Sequence, residues 1–458
     1  MRLRIHPIIA LACVVLFACA AARHFLFRST AYDLAAFDQA TYLISVGAAP
    51  ISSFLGYHIM GDHGATIWYA LALPYIVWPS AYWLLFIQAL ALALGAWPLL
   101  GIARSYALPE REALTLVACY LLYPVVFNAN LADFHPETIA VPALFGAVLA
   151  ARRDQVGRFC LCVVTVLSCK SVLGLSVCGM GAWLCWSKES RFYGVLAAVA
   201  GAGWFAFASF VVVPAISGRD AAVGMGDNRY AYLGASLSEI VTHLLLKPWA
   251  LAGRFLSVSA AGYLLGLAAP LLWGLRLRHG AALLGAAPIV LLNLLSDSRQ
   301  QRHLTNHYSL PVVPFLFLAV VVATASGQAR LRERRWLLLW ALISFAILAR
   351  YPRVVGYFAN LDSLSAQRAA VRVIGREEAG VVADTCFVSH VSQRSYVDTL
   401  AAMDNPSALK ADVHYVLVNL HRPCDLSREQ AERLAGQLRQ TPDFQVVLER
   451  DGVVLFRR

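Results

Sequence analysis

The apolar positions of this chain neither alternate nor recur at amphipathic spacing; they run on. Eleven stretches of mainly Leu, Val, Ala and Phe, centred near residues 16, 92, 120, 145, 166, 180, 203, 265, 288, 317 and 343, read as membrane-crossing helices. A crossing needs roughly 17 to 25 apolar residues, fewer under mismatch. A further apolar stretch, residues 65 to 79, carries Trp68, Tyr69, Tyr75 and Trp78 with Pro74 and Pro79. Interfacial aromatics of this kind predict a helix lying on the membrane surface. Beyond residue 350 the pattern changes. Leu361 to Ala379 has helical spacing with Gly380 as its C-cap, and Val413 to Val418 is an apolar strand. Ser427 and Gln430 form a capping box that opens a helix to about Gln440, and Phe444 to Arg458 reads as a hairpin turning at Asp451-Gly452. The expectation is an α-helical polytopic membrane protein with about eleven transmembrane helices over 1–350, followed by a small soluble α/β domain over 351–458.

Composition sharpens this into a topology. The 458 residues are 59% hydrophobic and 14% charged, with a formal charge of +11, against roughly 25% charged residues in soluble domains. The basic residues gather in short clusters between apolar runs, as at Arg152-Arg153, Arg276/Arg278 and Arg330/Arg332/Arg334/Arg335. Such clusters mark cytoplasmic loops. No basic stripe interleaved with stacking aromatics occurs outside them, which argues against nucleic acid as a partner. With a cytoplasmic N-terminus and an odd number of crossings, the tail is extracytoplasmic. The outward segments are then 23–80 with its juxtamembrane helix, 128–137, the tip near Lys170, 215–250 and 296–308. Met1-Arg2-Leu3-Arg4 and the run after it read as an uncleaved first helix. Eight of the ten cysteines lie in apolar runs; Cys386 and Cys424 stand apart in the tail, where an oxidising compartment would allow them to pair.

Polar chemistry concentrates on the predicted outer side. Asp33 and Asp38 flank a segment just after the first helix. On a continuous helix they would point about 140° apart, so joint action needs a non-helical break or contributions from different depths. The bland alternative is that one of them caps the next helix. A second string, Asp133-Phe134-His135-Pro136-Glu137, lies between two crossings. Pro136 and Glu137 are an ordinary helix start. Asp133 and His135 are not so explained, and ionisable groups at an apolar boundary are functional candidates. A set drawn from Asp38, Asp133 and His135 could hold a divalent cation, Mg or Mn. His63, Lys170, Arg302, His303 and His307 supply cationic or hydrogen-bonding groups suited to a phosphate, although snorkelling explains the arginine equally well.

Taken together, Asp33-Leu34, Phe37-Asp38-Gln39, His63, Asp133 to Glu137, and His307-Tyr308 resemble a bacterial membrane-protein family catalogued as domain of unknown function 2079. The resemblance runs over nearly the whole length. That family in turn resembles the C-type (GT-C) glycosyltransferases, multi-spanning enzymes of the bacterial cytoplasmic membrane with a catalytic acid in the first outer loop and a polyprenyl-phosphate sugar donor. The resemblance implies transfer of a sugar to an extracytoplasmic glycan, lipid or protein acceptor. Asp38 would be the base and Asp33 its partner; His63, Asp133, His135, Glu137, Lys170, Arg302, His303 and His307 would bind donor or substrate. One departure stands out: Ser171-Val172 follows Lys170 where the resemblance leads one to expect Glu-Asp. The competing readings are a transporter or lipid flippase, which would carry midplane charges and repeated halves, and a non-catalytic pseudoenzyme of the cell envelope.

Overall fold

Every one of the eleven apolar centres falls within a helix in the computed structural model, which describes residues 5–187, 190–218, 229–331, 333–359, 361–402, 409–410 and 412–458. Four helices are long and apolar enough to cross a membrane: His6–Phe25, Tyr82–Ser105, Arg191–Ser217 and His307–Ala325. Three further runs are broken: Glu110–Leu121 with Pro124–Asn130 (bent 42°), Leu277–Leu284 with Ala287–Leu295 (80°), and Arg334–Leu348 followed by Tyr351–Tyr357. In each, a proline (Pro124, Pro288, Pro352) sits in the first turn of the second helix. Proline cannot donate to the preceding turn and its ring displaces that turn's carbonyl. The remaining runs form Glu137–Arg152, Val156–Cys169, Leu173–Trp186 and Val258–Leu271, each of 16 residues or fewer. Crossing-length helices among the described residues therefore number four to seven, against an expectation of about eleven. The aromatic stretch after residue 65 becomes a short apolar helix, Trp68–Val77. At a rise of 1.5 Å per residue it spans about 15 Å, half of a hydrocarbon core.

The chain divides into two compact units. The first comprises Met1–Phe17, Met60–Ile67 and Phe86–Tyr351; the second comprises Ala18–Ile59, Trp68–Leu85 and Pro352–Arg458. The tail from Pro352 belongs to the second unit, which also takes in most of the first loop. Within the first unit, helices Leu173–Trp186 and Arg191–Phe207 touch backbone to backbone through Gly174, Gly181, Gly194 and Gly201. A Cβ on Gly181 would lie 2.5 Å from the Gly194 carbonyl oxygen, and one on Gly201 would strike the Gly174 carbonyl. Small residues allow this approach where apolar side chains alone give no preference for helix over lipid. Part of the predicted 215–250 loop, residues 219–228, lies outside the described residues, and Leu237–Leu246 within it is helical.

The second unit is built on a five-stranded sheet: β1 (Gly380–Ala383), β2 (Val397–Thr399), β3 (Val413–Asn419), β4 (Gln445–Arg450) and β5 (Val453–Arg457). The order is β2-β1-β3-β5-β4, with β1 parallel to β2 and β3 and the β3–β5 and β5–β4 pairs antiparallel. Apolar residues fill both sides of β1, as strands covered on both faces require. Val381 and Ala383 pack with Ala366, Ala370 and Ile374 of helix Leu364–Ile374, and with Phe27, Ala31 and Ala35 of the loop. Val382 packs with Ala431, Leu434 and Leu438 of helix Arg428–Gln440. The Ser427/Gln430 capping box is present, and the hairpin turns at Asp451 (φ 49°) and Gly452 (φ 77°). One expectation is corrected. The first tail helix ends at Gly375 (φ 58°), not Gly380, which instead opens β1, where a side chain would strike the Asp412 carbonyl.

Gly201→Leu is expected to destabilise the helix pair by more than the about 1–3 kcal/mol of ordinary overpacking, because the clash is with backbone. Gly203→Leu, on the same helix with open space around it, serves as the control. Monodispersity and thermal stability in detergent, measured for both variants, check this; equal behaviour would refute the glycine seam.

Candidate functional site

In the first unit the site begins at a break between helices. Helix Pro124–Asn130 stops, the chain turns through Asp133 in the left-handed region (φ 63°), and helix Glu137–Arg152 starts. The turn is buried, so its backbone groups need partners away from water. Gln88, on helix Tyr82–Leu94, supplies them. Its Nε2 donates to the carbonyls of Asp133 (2.8 Å) and Asn130 (3.2 Å), and its Oε1 accepts from the His135 N–H (3.0 Å). Asn130 in turn donates to the Leu16 carbonyl at 2.7 Å. Thr138 Oγ1 donates to the His135 carbonyl at 2.8 Å.

That bracing sets Glu137 at the first position of its helix with only 4% of its surface exposed. Lys170, directly after helix Val156–Cys169, donates from Nζ to Glu137 Oε1 at 2.9 Å. An anion at a helix start and a cation at a helix end both lie along favourable dipoles. His307 Nε2 is 3.7 Å from the same Glu137 oxygen, and its ring stacks on His135 with centroids 3.4 Å apart. The segment carrying His63 is strapped to the Lys170 turn: Ser171 N–H donates to the His63 carbonyl (2.8 Å), and the Thr66 and Ile67 N–H groups donate to the Ser168 carbonyl (2.9 and 3.1 Å). Gly64 (φ 61°) permits the approach, since a Cβ there would already press on Ser171 and Ala208 at 3.3 and 3.2 Å. His63 itself lies 3.2 Å from Asp62. The result is one polar cluster, Glu137, Lys170, His135 and His307 with His63 beside it, gathered from four distant parts of the sequence.

Asp33 and Asp38 belong to the second unit. Asp33 lies partly exposed in a π-helical turn, Ala31–Ala35, and Asp38 in the helix that follows, Ala36–Ser45. The two acids lie on consecutive helical segments, the first of π type, and turns of this type recur at functional sites. Asp38 is fully buried. One carboxylate oxygen accepts from Tyr75 Oη and the other from Ser392 Oγ, each at 2.6 Å. Burial raises its carboxyl to about 6, while the hydrogen bonds from Ser392 and Tyr75 pull the other way. Beside it, Gln39 donates to Ser53 and to the Arg394 carbonyl, and Phe37 stacks on Trp68.

Within the first unit, Arg302 and His303 are not among the side chains that meet at Glu137. Arg302 donates to Ser259 and to the Leu294 and Ser296 carbonyls, bracing its own turn, and His303 is exposed. A guanidinium held by three neighbours that satisfy its turn is a structural clasp. Asp133 is buried, and its backbone carbonyl accepts from Gln88. Asp38 lies in the second unit, where its oxygens accept from Tyr75 and Ser392, whereas Asp133 and His135 lie in the first. Among the described residues, the one group of three His, Cys, Asp or Glu ligand atoms lying within 4.8 Å of one another is Asp384, Cys386 and Cys424. Sequence reasoning missed Gln88, Tyr75 and Ser392. Gln88 had a signal, as a lone amide in the apolar run Tyr82–Leu94; Ser392 had none.

The first unit is mostly helical with several apolar helices, as in a membrane protein, and the fold is similar to that of two solved glycosyltransferases. The crystal structure of ArnT from Cupriavidus metallidurans bound to undecaprenyl phosphate matches with a TM-score of 0.57 at 14% identity, over 98% of this chain and 96% of that one. The arabinofuranosyltransferase AftD from Mycobacteria matches with a TM-score of 0.51 at 14% identity, over 100% of this chain and 40% of that one. No curated protein matches the sequence. The chain belongs to the DUF2079 family, described as "Predicted membrane protein", whose model matches residues 23–455.

Lys170→Met is expected to cost about 3–5 kcal/mol, because it leaves the Glu137 carboxylate buried and unpaired. Adding Glu137→Gln should recover much of that loss. Thermal unfolding of the two single variants and the double variant measures the coupling; additive losses would mean the pair contributes nothing.

Proposed function

We propose that this protein is a membrane glycosyltransferase that takes a sugar from a polyprenyl-phosphate lipid and passes it to an extracytoplasmic acceptor. The observation that carries the reading is the buried Lys170–Glu137 pair with His135, His307 and His63 around it. Its members stand at helix ends: Glu137 opens one helix, Lys170 follows another, and His307 opens a third. Charges at helix ends suit a lipid headgroup; a transporter or flippase would carry them near the bilayer midplane, in repeated halves. The fold likeness to a protein solved with undecaprenyl phosphate agrees with this ligand class.

The chemistry follows from the groups. A hydroxyl oxygen of the acceptor attacks the anomeric carbon, the bond from that carbon to the phosphate oxygen breaks, and polyprenyl phosphate leaves. An ammonium has three donors. Lys170 commits one to Glu137 and retains two for the leaving phosphate, with His307 and His63 as further donors at its rim. The proton of the attacking hydroxyl goes to a carboxylate of the first loop. Asp38 is the assigned base, because burial brings its carboxyl to about 6, close to the operating pH at which a base works best. Asp33, the more exposed of the two, is its partner. No step is routed through a metal.

A second reading of Asp38 is favoured by its two short hydrogen bonds: it clamps the loop to Tyr75 and Ser392 and takes no proton. The two readings separate in one experiment. Purified protein is given a labelled polyprenyl-phosphate sugar, and released polyprenyl phosphate is measured. Asp38→Asn keeps one oxygen to accept from Tyr75 or Ser392 and offers its NH2 to the hydroxyl oxygen of the other, so under the base reading the protein folds and turnover falls by a factor of about 10² or more. Wild-type turnover in that variant would rule out the base. The pH profile is a further check. The base must be ionised, so kcat/KM should climb as pH rises through about 6 and level off above it. The native carboxyl binds its proton more tightly than the unfolded one, so the contribution of Asp38 to stability is full below about 4 and lost as pH rises through about 6. Asp38→Asn should flatten that slope.

A further inference from the structure

The tail holds a second group of reactive side chains that plays no part in the proposed transfer. β1 and β3 are parallel neighbours, so the loops that follow them leave the same edge of the sheet. Asp384 ends β1, and its carboxylate accepts the N–H groups of Cys424 (2.9 Å to each oxygen) and Asp425 (3.0 Å) from the loop after β3. Asp425 returns the contact by accepting the Thr385 N–H at 2.8 Å. This reciprocal clasp fixes the two loops together and brings two thiols face to face. Cys386 lies in the short helix Thr385–Val388 and is buried, whereas Cys424 is exposed; their sulfurs and the Asp384 carboxylate lie within 4.8 Å of one another. Ten cysteines make eight packing residues in apolar runs unremarkable; these two are the pair the tail itself brings together.

A metal is the less suitable occupant. Both Asp384 oxygens already accept backbone N–H groups, which leaves two thiolates where a soft cation prefers four ligands. Two thiols at this separation, one open to solvent and one shielded, suit a stepwise oxidation instead.

We propose that Cys424 and Cys386 are a dithiol redox site that closes to a disulfide, with exposed Cys424 the sulfur that attacks first and Cys386 the resolving one. The oxidant is the disulfide of another thiol compound or of an oxidoreductase. The Cys424 thiolate attacks one sulfur of that disulfide, forming a mixed disulfide and releasing one thiolate. Cys386 then loses its proton, with the Asp384 carboxylate beside it as acceptor, and attacks the Cys424 sulfur, expelling the second thiolate. Two protein thiols are oxidised and one disulfide is reduced to two thiols. Burial, a hydrogen bond with Cys424 and the Asp384 charge all hold Cys386 protonated, which is why the exposed sulfur reacts first. The closed bond ties the loop after β1 to the loop leading into helix Arg428–Gln440.

The test uses the purified full chain and glutathione disulfide, with free thiols blocked on denaturation and peptides mapped by mass spectrometry. Wild type should yield the Cys386 and Cys424 peptides joined, with no glutathione retained. Cys386→Ala should stop with one glutathione on Cys424, and Cys424→Ala should leave Cys386 unmodified over the same time. The proposal fails if wild type ends as a stable glutathione adduct, if both thiols stay free, or if Cys386 reacts as fast as Cys424. Stoichiometric zinc that the purified chain retains and that shields both thiols would also overturn it, in favour of a metal site. Because the wild-type result needs no substitution, a variant that fails to fold does not obscure the outcome.

Discussion

A helix that ends among apolar side chains leaves carbonyls and amides that water cannot reach, and each must find a partner. Much of the first unit answers that constraint. Where the helix pair Glu110–Leu121 and Pro124–Asn130 breaks, Tyr120 donates to the Leu92 carbonyl and Tyr123 to the Leu267 carbonyl, both at 2.7 Å. Asn128 takes two carbonyls, of Leu304 and Leu348, and accepts the Arg350 N–H. Gln88 and Asn130 do the same for the turn before Glu137. These amides and phenols are why short, broken helices can persist there, and why the polar cluster has a fixed floor.

The Glu137–Lys170 pair builds on that floor. Two charges taken out of water are tolerated only when each meets the other and its remaining hydrogen-bonding capacity is used. The partner of Lys170 comes from far away in the chain. Ser171 and Val172 offer no carboxylate, and Glu137, 33 residues earlier, provides one. Lys170 is therefore neither an isolated charge nor a snorkelling one, and the histidines around it are placed by backbone straps rather than by their neighbours in sequence.

In the second unit the organising element is the exchange between the first loop and the tail. The small side chains of Ala31 and Ala35 lie in the core beneath β1. Arg394, itself buried, donates to the carbonyls of Gly375, Ala379 and Val391, so the loop whose carbonyl receives Gln39 is already rigid. His390 stacks on His24 with centroids 4.0 Å apart, and burial lowers its imidazole to about 4. A neutral ring stacks there without carrying charge into the core. Loop and tail thus form one packing unit although more than 300 residues separate them, as in the bond from Gln39 to Arg394.

By itself the sequence determined the apolar runs, their helical state, the capping box, the strand Val413–Asn419 and the hairpin at Asp451-Gly452, because each depends on neighbours a few residues apart. It also made Asp38, Glu137, Lys170 and His307 visible, since an ionisable residue at an apolar boundary stands out in any order of reading. The tertiary structure alone decided the rest. It broke three runs at prolines whose effect depends on where the freed carbonyls find partners. It moved the C-cap from Gly380 to Gly375, because Gly380 is required where β1 meets Asp412. It joined Lys170 to Glu137, excluded Arg302 and His303, and gave Asp38 to Tyr75 and Ser392. Those are choices among partners far apart in the chain, and only packing, which sets distance and burial together, selects them.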